Sequence, residues 1–393
     1  VWDRLTQYDD KLQPQPMLAE SWDFSSNAKQ LKLTLRKGVQ FHSGREFTSD
    51  DVKYNLLRVR DPKAPFAQLA GLSAPWTTID TPDKNTLVMH SDQSRPGVFD
   101  LFEYLNMQDR DVLEAPDAKT KAGGTGPFSF VEWVQGDHLK FTKNKNYWQT
   151  GKPYLDGVMV AITKDSQALA TQFEAGDLDV ISPPLTDADR LKSDPKYRLT
   201  VNTFSGASYL VGINTTVPPL DKKEVRQALS YAMDRQRIFA TAFHGIGEPR
   251  VLPWPSFSPA FDATKNLAYA FNLDKAKTLL GQAGLSGFDT EVIYSNASPE
   301  YASWAQIYQS DLAKIGVNVA LKPLDGPTLV DQLGNSKFRG LGLNLAEYAN
   351  LSDPATYFNI GRTWNVTSTY TGFKDPQYGV LVNAVLSEPD ANK

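Results

Sequence analysis

The sequence contains no cysteine and little histidine, and both shortages narrow the chemistry that the protein can perform. Its 393 residues include 0 cysteines and 4 histidines. Without cysteine there is no disulfide, no thiolate metal site and no thiol nucleophile, although the cellular compartment stays open. Neither H-x-H nor H-E-x-x-H spacing relates His42, His90, His138 and His244. We therefore expect no metal site and no cofactor.

Long apolar runs and blocks of like charge are also missing. No stretch approaches the ~18 apolar residues that a transmembrane helix needs. The net charge is -4 without a basic cluster, which argues against nucleic acid as a partner. Hydrophobic residues make up 41% of the chain and charged residues 22%, a composition typical of globular proteins. The length is sufficient for two or three domains.

Motifs of common enzyme classes do not occur in the sequence. There is no G-x-S-x-G elbow of a serine hydrolase. The glycine cluster at 123–127 lacks both the Gly-Lys-Ser/Thr of a phosphate loop and G-x-G-x-x-G spacing, so we interpret it as a tight turn. Carboxylates are numerous, but nothing selects a pair that would act as in a glycosidase. We therefore do not expect an enzyme.

The most informative stretch runs from Tyr209 to Gly247. Its apolar beginning, at 209–213, predicts a buried strand. After two prolines, Asp221 and Glu224 form an acidic version of the capping box and predict the start of a helix. Apolar residues then recur at helical spacing, which predicts one buried helix face: Val225, Ala228, Leu229 and Ala232.

Other segments predict alternating strands and helices. Leu31, Leu33 and Leu35 alternate with polar residues as in a half-exposed strand, and Thr48 with Asp51 predicts a capped helix. Further predicted elements are a hairpin at 80–90, strands at 128–133, 138–142, 158–162, 178–181 and 317–321, and helices at 166–175, 274–283 and 298–315. In the last helix we place Asp311 at the margin of the apolar stripe. This rhythm indicates mixed α/β lobes.

Several motifs occur in a family-specific order. The central ones are Asn214-Thr215, Pro219-Leu220-Asp221, Val225–Leu229 and Asp234-Arg235. Others extend over nearly the whole chain: Leu18–Trp22, Leu35–Gly44, Thr48–Val52, Gly124–Phe128, Asn144–Trp148 and Gly176–Val180. In this order they resemble the family 5 extracellular solute-binding proteins, the oligopeptide, dipeptide and nickel receptors of bacterial ABC importers.

The resemblance implies an α/β fold of the type II-like periplasmic binding proteins (cluster C). Two mixed α/β lobes are joined by a hinge, and an extra α+β subdomain is inserted. We place the core of lobe I at 1–22 and 123–210, the inserted subdomain at 23–122 and lobe II at 211–393. Because the family's chain normally extends beyond both ends of this sequence and returns to lobe I, we expect both ends to be incomplete.

The resemblance also implies a function. The protein is expected to capture a small solute, a short peptide or another compound, in the cleft between the lobes by hinge closure. It would deliver the solute to the transmembrane subunits of an ABC permease, acting as a monomer in the periplasm or, as a lipoprotein, anchored outside the cell. The alternative is a sensory or catalytic, hydrolase-like descendant of the fold, because a fold does not determine function.

The same resemblance places ligand-binding residues on segments that lie far apart in sequence. They are the loop with Thr125, the crossing strand with Tyr209 and Asn214, the loop with Trp254, and the stretch 347–357. The last contributes Glu347, Tyr348, Asn350 and Tyr357. Arg339 and Arg362 flank this stretch and either hold a carboxylate or are solvated surface residues. We expect positions near 125, 209, 254 and 348 to converge.

The stretch 347–357 departs from the pattern of the peptide receptors. Their loop reads like W-x-A-D-Y-x-D/E-P, and its aspartate pairs with the N-terminal ammonium of the peptide. Aligned on Asp353-Pro354, that position is Asn350, whose neutral amide lacks the charge for such a bond. Glu347 is an alternative partner, and Tyr348 lies near an aromatic residue of the nickel-type receptors. A peptide and a stacked non-peptide solute therefore both stay open.

Overall fold

The computed structural model describes residues 1–63, 69–163, 165–201, 207–346, 353–360, 363–365 and 369–388. The chain forms two compact units. Unit 1 comprises Val1–Lys164, Asn350–Ile360 and Gly379–Lys393, and unit 2 comprises Asp165–Ala349 and Gly361–Tyr378. This division places the first boundary after Lys164. The three-part division at residues 22, 122 and 210 stays a prediction.

The first part of unit 1 contains two larger sheets. One has the antiparallel order β3-β4-β6-β5, and the other the antiparallel order β7-β8-β9, while β1 pairs with β2. The strands are β1 (Thr6–Tyr8), β2 (Pro14–Pro16), β3 (Ala19–Phe24), β4 (Gln30–Leu35), β5 (Thr78–Asp83), β6 (Thr86–His90), β7 (Phe128–Val134), β8 (His138–Lys143) and β9 (Gly157–Ala161). The helices are α1 (Ser49–Arg58), α2 (Ala70–Ser73), α3 (Val98–Tyr104) and α4 (Arg110–Leu113).

The core of unit 1 confirms several predictions. In β4, Leu31, Leu33 and Leu35 are all fully buried, as their alternation predicts. Helix α1 begins after Thr48, whose backbone N–H donates to the Asp51 carboxylate at 2.9 Å. The predicted hairpin is the β5–β6 pair, and the predicted pairing of β7 with β8 is also present. Local pattern and turn chemistry were sufficient here because these elements contact their sequence neighbours.

Unit 2 is built on one mixed sheet. Its order is β10-β13-β11-β12, with β13 antiparallel to β10 and β11 parallel to both its neighbours. The strands are β10 (Ser208–Ile213), β11 (Phe288–Ser295), β12 (Val317–Leu324) and β13 (Leu341–Ala346). The helices are α5 (Ser166–Ala175), α6 (Leu185–Ser193), α7 (Lys223–Tyr231), α8 (Arg235–Thr241), α9 (Leu273–Gln282), α10 (Pro299–Ala313) and α11 (Gly326–Gly334). Of the two later helices, α12 (Thr356–Ile360) belongs to unit 1, and α13 (Pro376–Ser387) begins in unit 2 and ends in unit 1.

The core of unit 2 packs helices against this sheet. Helix α7 buries Val225, Ala228 and Leu229, the apolar face that its spacing predicts. Helix α10 contributes Trp304 and Tyr308, and the Tyr308 hydroxyl donates to the Leu229 carbonyl at 2.9 Å. This bond satisfies a polar group inside an apolar core, and it joins two helices that both contribute residues to the site described below.

Three details of unit 2 differ from the predictions. Helix α7 has Lys222 as its N-cap, not Asp221, because the preceding turn extends through Asp221 and the Lys222 N–H donates to the Pro219 carbonyl at 3.1 Å. Asp311 is fully buried, not marginal: Arg237 and Lys314 donate to it at 2.6 and 3.0 Å. The segment 178–181 forms no strand, and Val180 is 86% exposed. A short apolar run without a partner strand cannot pair its backbone in a sheet.

Among the described residues, no helix combines the length and the apolar character needed to cross a lipid bilayer.

Candidate ligand-binding site

A cavity of about 810 Å³ lies within unit 2 at the beginning of β10. Its wall is largely apolar and aromatic with a few polar groups, which is the usual make-up of a small-molecule site. It combines strand β10, helices α8 and α10 and the loop that follows α8. The described lining residues include Ser208, Tyr209, Arg235, Phe243, Glu248, Arg250, Pro253, Tyr269, Trp304 and Tyr308.

Four aromatic rings form a continuous cluster at this wall. The Tyr209 ring centroid lies 4.5 Å from that of Phe243, 5.5 Å from Tyr301 and 6.4 Å from Trp304. Trp304 is buried, whereas Tyr209 is 41% exposed. Burial, reinforced by the nearby Glu300 carboxylate, raises the pKa of Tyr209. The Tyr209 side chain is therefore neutral, and part of its ring is open to the solvent. The neighbouring rings fix its orientation.

Arg250 places a positive charge in the same wall. Its side chain is 10% exposed, and Nη2 donates to the Ser208 hydroxyl at 2.7 Å. Nε lies 3.5 Å from the Glu248 carboxylate, which also accepts the Ser256 N–H at 2.9 Å. Ser208, at the start of β10, therefore holds the guanidinium, and the Glu248 carboxylate lies beside it.

Arg235 lines the cavity but has a different role. Its guanidinium donates to the Ser230 and Tyr269 carbonyls, both at 3.1 Å, and to the Ser230 hydroxyl at 3.0 Å. Burial lowers the pKa of Arg235. These bonds connect the end of α7 to the loop before α9, so Arg235 stabilises the wall.

Of the residues predicted in unit 2, Tyr209 lines the cavity and three others lie elsewhere. Trp254 belongs to the same loop as Arg250 but is not among the lining residues. Asn214 is 1% exposed; its amide donates to the Phe338 carbonyl at 2.6 Å, and its oxygen accepts the Thr216 hydroxyl at 2.7 Å. The Arg339 side chain is exposed, and its backbone N–H donates to Glu291 at 2.9 Å. Their contact with a ligand stays a prediction.

The predicted residues of unit 1 are buried within that unit. Thr125 is 1% exposed, and its hydroxyl donates to Asp3 at 3.1 Å; Tyr357, in α12, is 2% exposed. A Cβ at Gly126 would lie 2.6 Å from the backbone of Val1, so the glycine cluster allows two backbones to pack closely.

Three further predicted residues, Glu347, Tyr348 and Asn350, lie outside the described residues, and so does Arg362. The convergence of positions near 125, 209, 254 and 348 therefore stays a prediction, as does the role of each of these residues.

Sequence reasoning missed Arg250, Phe243 and Trp304. The resemblance pointed to the loop of Arg250 through its neighbour Trp254, but a loop has no periodicity that shows which side chain faces inward. Phe243 follows the end of α8 and Trp304 lies in α10, and at either position an aromatic residue is typical of any core. Their common position became visible only in three dimensions.

Acidic side chains and metal ligands are sparse in the described part of the site. Among the described residues, no group of His, Asp or Glu could hold a metal ion. Glu248 is the one carboxylate in the described lining of the cavity, so no carboxylate pair is present in that lining.

Comparisons with known proteins agree with these features. The chain is 29% identical to heme-binding protein A of Haemophilus influenzae over 77% of this chain and 60% of that protein. It is 30% identical to di/tripeptide-binding protein 1 of Pseudomonas aeruginosa over 82% of this chain and 65% of that protein. The chain thus spans less than two thirds of the length of these curated relatives.

The chain also resembles a solved structure and matches a family model. The periplasmic binding protein AgaA of A. tumefaciens R10, in complex with agropinic acid, matches with a TM-score of 0.86 and 27% identity, covering 100% of this chain and 80% of that one. This likeness confirms the predicted α/β fold of a type II-like periplasmic binding protein. Residues 13–365 match the model of the bacterial extracellular solute-binding proteins, family 5 Middle. The chain therefore belongs to the family 5 extracellular solute-binding proteins of bacteria.

Proposed function

We propose that this protein is the solute-binding receptor of a bacterial ABC importer. It captures a small solute and delivers it to the transmembrane subunits of the permease. The observation that carries this proposal is the aromatic cavity of unit 2 in a chain of this family, because its volume of about 810 Å³ falls in the range typical of small-molecule sites.

The solute is either a short peptide or another small compound. The relatives named above bind heme, di- and tripeptides and agropinic acid, so the family alone does not select one class. Asn350 in place of the aspartate of peptide receptors weakens recognition of a peptide ammonium. We place the protein in the periplasm, or anchored outside the cell, as a monomer, and we propose that hinge closure retains the solute.

A binding role fits the site better than a catalytic one. The family consists of solute-binding proteins. In the cavity, the described wall offers one carboxylate, Glu248, whereas hydrolysis of a glycosidic bond needs two.

Native mass spectrometry of the purified protein, before and after denaturation, tests the proposal. We expect a bound small molecule that is released on denaturation. The Tyr209→Ala variant should retain less of it, because that ring forms part of the cavity wall. Tyr154→Ala is the matched control, since Tyr154 is 84% exposed in unit 1.

An empty protein would be followed by a thermal-shift screen of peptides, aromatic acids, sugars and metal chelates. Stabilisation by one class, reduced in Tyr209→Ala only, supports the receptor function. If no class stabilises the protein, or if both variants respond as the unmodified protein does, the proposal is wrong.

A further inference from the structure

We propose that the unit 2 cavity selects solutes that combine a carboxylate, or a similar oxyanion, with an apolar or aromatic body. Arg250 binds the anion and Tyr209 packs against the body. This inference rests on the proposed receptor function and specifies the chemistry of its solute.

The described wall of the cavity contains more positive than negative charge. Three charged residues line the described part of the cavity: Arg235, Glu248 and Arg250. Arg235 donates to Ser230 and Tyr269, which makes it a structural residue. Of the other two, Arg250 has its Nε 3.5 Å from Glu248 Oε1, and Glu248 also accepts the Ser256 N–H. The described part of the wall therefore carries two positive charges and one negative charge.

The guanidinium of Arg250 is largely withdrawn from water. The Arg250 side chain is 10% exposed. Removing a guanidinium from water is unfavourable unless anions or acceptors compensate for the lost hydration. An oxyanion of the solute adds such compensation in a region of low dielectric, and the planar guanidinium suits the two oxygens of a carboxylate.

The aromatic cluster borders the same cavity as Arg250. Ser208 accepts a hydrogen bond from Arg250 at 2.7 Å, and the next residue in β10 is Tyr209. Arg250, Ser208 and Tyr209 all line the same cavity, so one solute can reach both the guanidinium and the aromatic cluster. A solute that reaches both must carry its acid close to an apolar group.

Trp304 adds a hydrogen-bond donor to this wall. It lines the cavity and is 3% exposed, and its indole N–H has no acceptor among the described residues. A buried donor without an acceptor is unfavourable. A solute oxygen that reaches Trp304 would satisfy it, so this residue also favours an acceptor over an ammonium.

Isothermal titration calorimetry with matched probes tests the proposal. The probes are 3-phenylpropionate and its primary amide, the dipeptide Ala-Phe and its C-terminal amide, putrescine and glucose. We expect binding by at least one of the two free acids, and a loss of about 10- to 100-fold in its amide, which corresponds to a hydrogen bond to a charged group.

Variants assign this preference to Arg250. Arg250→Gln should remove most of the difference between acid and amide. Glu248→Gln should strengthen binding of the acid, because it removes the competing carboxylate and leaves Arg250 in place. Arg190→Gln is the control, since Arg190 also pairs with two carboxylates, Glu174 and Asp187, but does not line the cavity.

The outcomes separate this inference from the receptor function. Equal affinity for acid and amide, or binding of putrescine or glucose with neither acid bound, overturns the inference and leaves the receptor function intact. Weaker acid binding in Glu248→Gln, where Arg250 is retained, also overturns it, even if Arg250→Gln fails to fold. If no probe binds and the thermal-shift screen is empty as well, both proposals fail.

Discussion

Asn214 shows how a residue of a family motif can serve the fold. Its amide group donates to the Phe338 carbonyl at 2.6 Å and its oxygen accepts from the Thr216 N–H and hydroxyl at 3.1 and 2.7 Å. These bonds fasten the end of β10 to the segment that leads into β13. A buried amide with its donors and acceptor satisfied is a strong constraint on local geometry.

We therefore expect Asn214→Asp to destabilise the protein. The carboxylate cannot donate to Phe338 and would place a negative charge against a carbonyl oxygen, at a cost of about 1–3 kcal/mol. Urea denaturation measures this loss. Solute affinity of the folded variant should change less than in Tyr209→Ala. If stability is retained and affinity is lost instead, Asn214 is a ligand contact, as the family resemblance implies.

His42 gives the protein a dependence on pH. Its Nε2 lies 2.9 Å from the Gly126 carbonyl, and Nδ1 is buried without a partner among the described residues. Burial lowers the pKa of His42, and the bond to Gly126 only partly opposes this effect. A second proton on the ring would create a buried donor without an acceptor, so the folded state favours the neutral form.

The sign of the effect follows from linkage. The folded-state pKa of His42 is below that of the unfolded chain, about 6.5, so its contribution is complete above that pH and is lost as pH falls through the folded value. We expect His42→Gln, which can still donate to Gly126, to reduce the loss of stability between about pH 7 and 5. Unfolding free energies measured by urea titration across this range test it.

His138 is the natural contrast. It is hydrogen-bonded to Asp137 at 2.6 Å, and this bond is the main reason that the pKa of His138 is raised. Its contribution is therefore lost as pH rises through the folded value, so His138→Gln should change the profile in the opposite direction. Identical profiles for the two variants would contradict the assignment to His42.

At the scale of elements, replacing either of two glycines of unit 2 by alanine is expected to change stability in opposite directions. A Cβ at Gly340 would lie 2.2 Å from the Glu291 carbonyl, so β13 can approach β11 only without a side chain at this position. Gly281 lies inside α9 with no atom within 4 Å of an added Cβ and no positive φ. One glycine is required by packing, whereas the other only weakens its helix.

We expect Gly340→Ala to destabilise the protein by about 1–3 kcal/mol, as overpacking does. Gly281→Ala should stabilise it by about 0.5–1 kcal/mol through helix propensity. Differential scanning calorimetry of both variants measures the two shifts. A neutral Gly340→Ala would mean that β13 can separate from β11 without loss.

The elements also show which features a sequence can predict. Helix α10 and strand β4 follow from the spacing of their apolar residues, since each element buries one face. Burial of Asp311 does not follow, because its partner Arg237 comes from α8 and no pattern within α10 indicates it. The failed strand at 178–181 has the same cause: a strand depends on a neighbour that local composition does not reveal.

Only part of the candidate site could be predicted, because contacts between distant segments are not visible in the local sequence. Tyr209 belongs to an ordered run of motifs, so the resemblance identified its strand, and the structure places it on the cavity wall. Arg250 lies in a loop, where only the bonds to Ser208 and Glu248 show that the charge faces inward. Family resemblance thus located the segment, and geometry was needed to select the residue.

At the scale of the whole molecule, unit 1 is completed by a segment that follows most of unit 2 in sequence. Asp100, fully buried in α3, accepts the Tyr8 hydroxyl at 2.7 Å, the Thr356 hydroxyl at 2.6 Å and the Asp353 N–H at 3.1 Å. Gly97 packs closely against Asp353: a Cβ added at Gly97 would lie 2.0 Å from Asp353 Oδ2. One buried carboxylate therefore connects β1, α3 and the segment before α12.

Because of this connection, we expect a substitution at Thr356 to affect α3 and β1, which lie far from it in sequence. Thr356→Val keeps the shape of the side chain but removes a donor from a buried carboxylate, and should cost about 1.5–3 kcal/mol. Thr356→Ser is the control and should retain most of the stability. In hydrogen exchange followed by mass spectrometry, peptides that contain α3 and β1 should lose protection together with α12, although Asp100 in α3 and Thr356 in α12 are 256 positions apart in sequence. Loss of protection in α12 alone would show that α3 and β1 form a stable core without the returning segment. A joint loss would show that α3, β1 and α12 open together as one cooperative unit.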